Sequence, residues 1–195
     1  MVDPSAPYVV YFDIETRLSP SEVGWDQARK GGAGISAIVI YDSYDKWVHT
    51  YDSHSIDDAI QHLEGADIVV SWNGTDFDIP AMEGFAKRKM KIKKHFDLYV
   101  HFYRGMGNKR KKGSGMGPTA ERTIDMSKSG HGADAPRLAE TGQFGALFNY
   151  CAKDVYVLKS LTKHVLEHGY LVDPDNVRIT ITAPPTMKAY PNDVV

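Results

Sequence analysis

The sequence holds one cysteine, Cys151, so no disulfide can form within the chain, and nothing in it calls for an oxidising compartment. It has no long hydrophobic run. The apolar stretches Tyr8 to Phe12, Ala37 to Tyr41 and Ile68 to Val70 fall far short of the ~20 residues needed to span a bilayer. The opening Met-Val-Asp-Pro has neither the basic flank nor the apolar core of a secretory signal. A cytoplasmic protein without membrane contact is expected. The glycines from Gly105 to Gly117 are not followed by Gly-Lys-Ser/Thr, so they form no nucleotide phosphate loop. No internal repeat is present. What remains is ordinary for a globular protein: 195 residues, 42% of them hydrophobic and 25% charged. One domain over residues 1–182 is expected, with residues 183–195, which hold three prolines, as a flexible tail.

The net charge of -2 conceals an asymmetry. Residues 87–112 contain eleven Lys or Arg and one acid, Asp97, whereas residues 1–86 contain four bases and fifteen acids. A basic block beside an acidic half suits an anionic polymer as partner. A solvated, flexible charged loop is the competing explanation.

Alternation and helical spacing give a strand over Tyr8 to Ile14, a hairpin of Ser36 to Tyr41 with Lys46 to Tyr51, and a helix after Ser55. A strand from Asp67 to Trp72 follows, then a helix with Pro80 in its first turn that runs to about Lys89. A short strand or helix start lies within His95 to Phe102, and a long amphipathic helix runs from Gly142 to His168. Arg104 to Pro118 holds five glycines and five bases and is expected to be a loop, ordered at most on binding. The order argues an α/β domain with a mixed sheet, and ligands on such sheets bind at the carboxyl ends of parallel strands.

Three acidic motifs stand out. In Phe12-Asp13-Ile14-Glu15-Thr16, residues two apart on a strand project from one face, so Asp13 and Glu15 point together. Two adjacent carboxylates repel, and a divalent cation between them removes that cost. In Asn73-Gly74-Thr75-Asp76-Phe77-Asp78, a strand ends, a glycine turn follows, and Asp78 arrives at a helix start. Asp76 competes with it as a helix cap, and both acids also suit a helix N-terminus. In Tyr150-Cys151-Ala152-Lys153-Asp154, Tyr150 and Asp154 lie one turn apart on one helix face. Four carboxylates and a phenol are the ligand set of a two-metal phosphodiester-cleaving site. Each motif alone also has a structural explanation; the ordered set is more specific than its parts.

With these motifs in this order, the chain resembles the DEDD superfamily of 3'-5' exonucleases, which have the ribonuclease H-like fold and include the proofreading domains of DNA polymerases. Asp13 and Glu15 match its first motif, Asn73, Phe77 and Asp78 its second, and Tyr150 with Asp154 the version of the third that has Tyr four residues before Asp. The resemblance covers roughly Tyr8 to Leu166. It implies an α/β fold with a mixed five-stranded sheet flanked by helices. It also implies two divalent ions, Mg2+ or Mn2+, held by Asp13, Glu15, Asp78 and Asp154, with Tyr150 orienting the attacking water.

The implied substrate is nucleic acid, single-stranded DNA in preference to RNA, shortened from its 3' end. Thr16, Leu18, Asn73 and Phe77 are candidates to touch the terminal nucleotide. Arg88, Lys91, Arg104, Lys109, Arg110 and Lys111, with their basic neighbours, are candidates for the phosphate backbone. Only 41 residues follow Asp154, so any proofreading would serve a replication or recombination protein in trans. An RNA-trimming enzyme and a catalytically silent nucleic-acid-binding domain remain alternatives. His164-Val165-Leu166-Glu167-His168 fits a zinc-protease pattern, but no glutamate follows to complete such a site.

Overall fold

A computed structural model of the chain describes residues 6–126 and 134–188. Strand β1 (Val9–Thr16) is followed by two short helices, α1 (Pro20–Val23) and α2 (Trp25–Arg29). The hairpin β2 (Ile35–Asp42) and β3 (Val48–Tyr51) leads to α3 (Ile56–Gly65), β4 (Ile68–Ser71), α4 (Asp78–Ala86) and β5 (His95–Asp97). Helices α5 (Leu98–Gly105), α6 (Met116–Ile124), α7 (Asp134–Glu140) and α8 (Phe144–His168) come next. A second hairpin, β6 (Tyr170–Val172) with β7 (Arg178–Thr180), and α9 (Pro185–Lys188) complete the order.

The main sheet has the order β3-β2-β1-β4-β5. β1 pairs in parallel with β4, and β4 with β5, while β2 runs antiparallel to both β1 and β3. The α/β class and the mixed five-stranded sheet flanked by helices are as the sequence leads one to expect.

Alternation along β1 divides the core in two. Val10, Phe12 and Ile14 face α3 and α4, joining Ile60, Leu63 and Met82 in one cluster. Val9 and Tyr11 face the other way, against Cys151, Val155, Leu158 and Leu161 of α8. Asp13 and Glu15 continue this second row, so they project on the α8 side of the sheet at its carboxyl end.

Three expectations need correction. The glycine- and lysine-rich stretch is a loop over residues 106–115, as expected, but a packed one: α5 runs into the stretch to Gly105, α6 starts within it at Met116, and Met106, Ser114 and Met116 are buried. The helix after the second motif ends at Ala86, because Lys87 adopts a left-handed conformation (φ 55°) that stops it. The segment assigned to a tail begins with packed side chains, Ala183 and Met187 both lying in the α8-side core; residues 189–195 lie outside the described residues. No helix among the described residues is long and apolar enough to cross a membrane.

Candidate active site

The second motif shows why local sequence matters. Asn73 takes a left-handed backbone (φ 67°), which asparagine tolerates better than most residues. At Gly74 a Cβ would lie 2.4 Å from Ser71 Oγ, so only glycine lets the turn close on the strand end. Asp97, buried at the end of β5, accepts the backbone N–H groups of Asn73 and Thr75, each at 2.8 Å, and caps α5 through Tyr99 and Val100. The turn so braced places Phe77 and Asp78 beside the end of β1.

A cavity of about 510 Å³ opens there, and all five residues expected to perform chemistry line it: Asp13, Glu15, Asp78, Tyr150 and Asp154. Three segments far apart in the chain thus meet in one place. Asp78, Tyr150 and Asp154 are 5%, 8% and 3% exposed. Asp76, the competitor for Asp78, is exposed and does not reach the cavity.

Burial, reinforced by the charge of Asp97, pushes the Asp78 carboxyl up to about 7, although amide hydrogen bonds from its own backbone and from Ile14 oppose the shift. Ligating atoms of Asp13, Glu15 and Cys151 lie within 4.8 Å of one another. The Cys151 thiol is raised well above its ordinary range, by burial first and then by Asp13, Glu15, Asp154 and Asp78, which disfavours the thiolate in the metal-free site. Four carboxylates in a cavity where one of them resists ionising form an oxygen donor set that suits hard divalent cations, and these residues could hold them.

The remaining expected contacts divide. Asn73, Phe77 and Arg110 line the cavity. Thr16 and Leu18 do not; the Thr16 hydroxyl donates to the Leu18 carbonyl at 2.8 Å, and Leu18 faces solvent. Arg88 and Lys91 follow the C-terminal end of α4 and are outside the cavity lining. Arg88 bonds Asp57 and Glu64, each at 3.1 Å, and the Lys91 amide bonds Glu64 at 2.8 Å. Arg104 and Lys109 are exposed and outside the cavity lining. Lys111 pairs with Asp173 and, at 2.6 Å, Asp175 in the β6–β7 hairpin. It anchors the loop from which Arg110 reaches the cavity.

Sequence reasoning missed the aromatic lining. Trp25, Trp72 and Tyr99 join Phe77 around the cavity, with ring centroids 5.8 Å apart for Trp25–Phe77 and 5.5 Å for Trp72–Tyr99. Trp72 stands next to Asn73 and could have been found from that adjacency. Trp25 could not, because α2 has too few residues to show a period.

Residues 10–166 match the family model described as RNase_H superfamily. No curated protein matches the chain. Among solved structures, the chain is similar to the family B DNA polymerase from the hyperthermophilic archaeon Pyrobaculum calidifontis, at 17% identity and a TM-score of 0.59. The likeness covers 82% of this chain and 24% of that one, so the chain spans about a quarter of the polymerase's length. At that identity the likeness is one of fold.

Proposed function

Because the chain belongs to the RNase_H superfamily and has a ribonuclease H-like fold, we propose that it is a metal-dependent nuclease that removes nucleotides from the 3' ends of single-stranded DNA. The observation that carries this reading is the meeting of Asp13, Glu15, Asp78, Tyr150 and Asp154 around one cavity. The four carboxylates would hold two Mg2+ or Mn2+ ions, which when bound supply activation of a water and stabilisation of the leaving 3' oxygen.

The chain's own groups account for the rest. Tyr150, 8% exposed on the α8 face next to Asp154, orients the attacking water; an ordinary phenol near pKa 10 is too weak a base to do more. Phe77, Trp72, Tyr99 and Trp25 offer ring faces on which unpaired bases stack, a contact open to single strands and closed to a duplex. Arg110 supplies a positive charge inside a cavity otherwise dominated by acids, and so suits a phosphate of the incoming strand. The polymerase to which the fold is similar supports a DNA substrate.

The test offers single strands of DNA and RNA, labelled at either end, with Mg2+, Mn2+ or a chelator. The expected result is a descending ladder from 5'-labelled DNA, immediate release of mononucleotide from 3'-labelled DNA, and no cleavage with chelator. Cleavage only at internal positions, or none with either metal, overturns the reading.

A further inference from the structure

The end of the sheet opposite the cavity holds a second group of ligating side chains. β2 runs antiparallel to β1, so its last residue, Asp42, sits beside Val10 near the start of β1. Asp42, Asp45 and His49 surround the turn that joins β2 to β3, and one ligating atom from each lies within 4.8 Å of the other two. His49 Nε2 is 2.8 Å from Asp45 Oδ2. His62 of α3 brings its own Nε2 to 3.0 Å from Asp42 Oδ2. The two imidazole rings meet edge to face with centroids 4.9 Å apart.

Both carboxylates are set in the same way. Asp42 Oδ1 accepts the Tyr44 amide at 2.7 Å, leaving Oδ2 toward His62. Asp45 Oδ1 accepts the Trp47 amide at 2.8 Å, leaving Oδ2 toward His49. The turn therefore fixes one oxygen of each acid and aims the other at a histidine nitrogen. Orientation continues one layer out, where Tyr8 donates its hydroxyl to Asp42 Oδ2 at 2.6 Å and the Tyr51 hydroxyl lies 2.8 Å from His62 Nδ1. A tyrosine hydroxyl both donates and accepts. Tyr51 thus suits either tautomer of His62, including the one that presents the Nε2 lone pair to an ion. Outer hydrogen bonds of this kind aim histidine ligands in metal sites.

We propose that Asp42, Asp45, His49 and His62 form a binding site for a divalent transition metal, Zn2+ foremost, distinct from the carboxylate cavity. Two imidazoles with two carboxylates match the borderline-soft preference of Zn2+, whereas Mg2+ and Ca2+ favour oxygen alone. Around a tetrahedral zinc with bonds of ~2.0–2.2 Å, neighbouring donors lie roughly 3.3 Å apart. The pairs at 2.8 and 3.0 Å need to open by little to admit the ion. Asp42 and His62 side chains are 10% and 12% exposed, while Asp45 and His49 are 45% and 35% exposed. The site thus has a buried wall and an open side for entry. A bound ion ties the hairpin turn to α3 and, through Tyr8, to the start of β1. Its role is to hold the sheet together rather than to hydrolyse.

Co2+ is the probe, since a tetrahedral nitrogen and oxygen site gives it intense visible absorption and Zn2+ displaces it. It is titrated into the Asp13→Ala/Asp154→Ala chain, and into the wild-type chain with excess Mg2+ over the cavity. One equivalent should bind with tetrahedral bands in both, and Zn2+ should raise the melting midpoint. His49→Ala and His62→Ala should each weaken binding about tenfold or more, while Mg2+-dependent cleavage by those two variants of the otherwise wild-type chain stays unchanged. No tetrahedral bands, or bands indifferent to both substitutions, overturn the proposal. The readout is a spectrum, so a failed nuclease assay and a failed metal titration are separate results.

Discussion

The Cys151 thiol lies against Asp13, donating to its backbone carbonyl at 3.4 Å with the carboxylate Oδ2 at 3.7 Å. This contact is where α8 meets β1. Cys151 packs onto the strand, and Tyr150 and Asp154, on either side of it along the helix, line the cavity. Burial and the surrounding carboxylates both disfavour the thiolate. Cys151 should therefore resist iodoacetamide in native buffer at mildly alkaline pH and react fully once the chain is unfolded in urea, as followed by intact mass. Rapid native labelling would mean that α8 does not seat on Asp13 as described.

Asp78 gives a pH dependence with a definite sign. Its carboxyl is raised from 3.8 to about 7 in the folded chain, so the folded state binds a proton that the unfolded state releases. The stability this contributes is fully present below pH 3.8 and is lost as pH rises through about 7. A cation in the cavity favours the ionised form and so competes with that proton. Mg2+ binding near pH 7 should release protons, read by calorimetry in buffers of differing ionisation enthalpy. The metal-free melting midpoint should lose an increment between pH 5 and 7.5 that Asp78→Asn abolishes. Proton-neutral binding near pH 7 would place Asp78 outside the metal set.

Arg110 and Arg88 separate two uses of positive charge. Arg110 lines the cavity; Arg88 is outside its lining and bonds Asp57 and Glu64. Arg110→Ala should raise KM for single strands and reduce the slope of log affinity against log salt by about one, the effect of one phosphate contact. Arg88→Ala should leave both unchanged. Equal effects from the two substitutions would restore the basic block as a single binding surface.

The chemistry-bearing acids were legible because strand and helix periods fix which residues share a face: Asp13 with Glu15 at period two, Tyr150 with Asp154 at one helical turn. The lysine-rich block was not legible, because charge says nothing of position. Lys93 pairs with Asp67, and Lys111 with Asp173 and Asp175, partners 26 and 62 or more residues away in sequence. The order within Arg104–Pro118 was hidden for a similar reason. Glycines normally mark loops, but Gly105 lies where a Cβ would meet Ile179 at 2.2 Å, a close contact with a hairpin whose strands are three residues each. Asp97 was counted among the charges, yet its role in holding the Asn73–Thr75 turn exists only once β5 lies beside β4.

Asp154 and Tyr150 sit on one face of α8 and should fail differently when changed. Asp154→Asn keeps the side chain's shape at a position only 3% exposed but removes a charge from a crowd of carboxylates. Turnover should fall by more than about a hundredfold, since the lost electrostatic stabilisation amounts to several kcal/mol. The metal-free protein should melt at an equal or higher temperature, because four mutually repelling acids become three. Tyr150→Phe removes only a hydroxyl, so it should slow turnover by a smaller factor, leave Mg2+ affinity unchanged and keep the fold. Single-turnover kinetics with calorimetric Mg2+ titration of both variants check this. If Tyr150→Phe weakened metal binding as much as Asp154→Asn, the phenol would belong to the ligand set, and water positioning would need another residue.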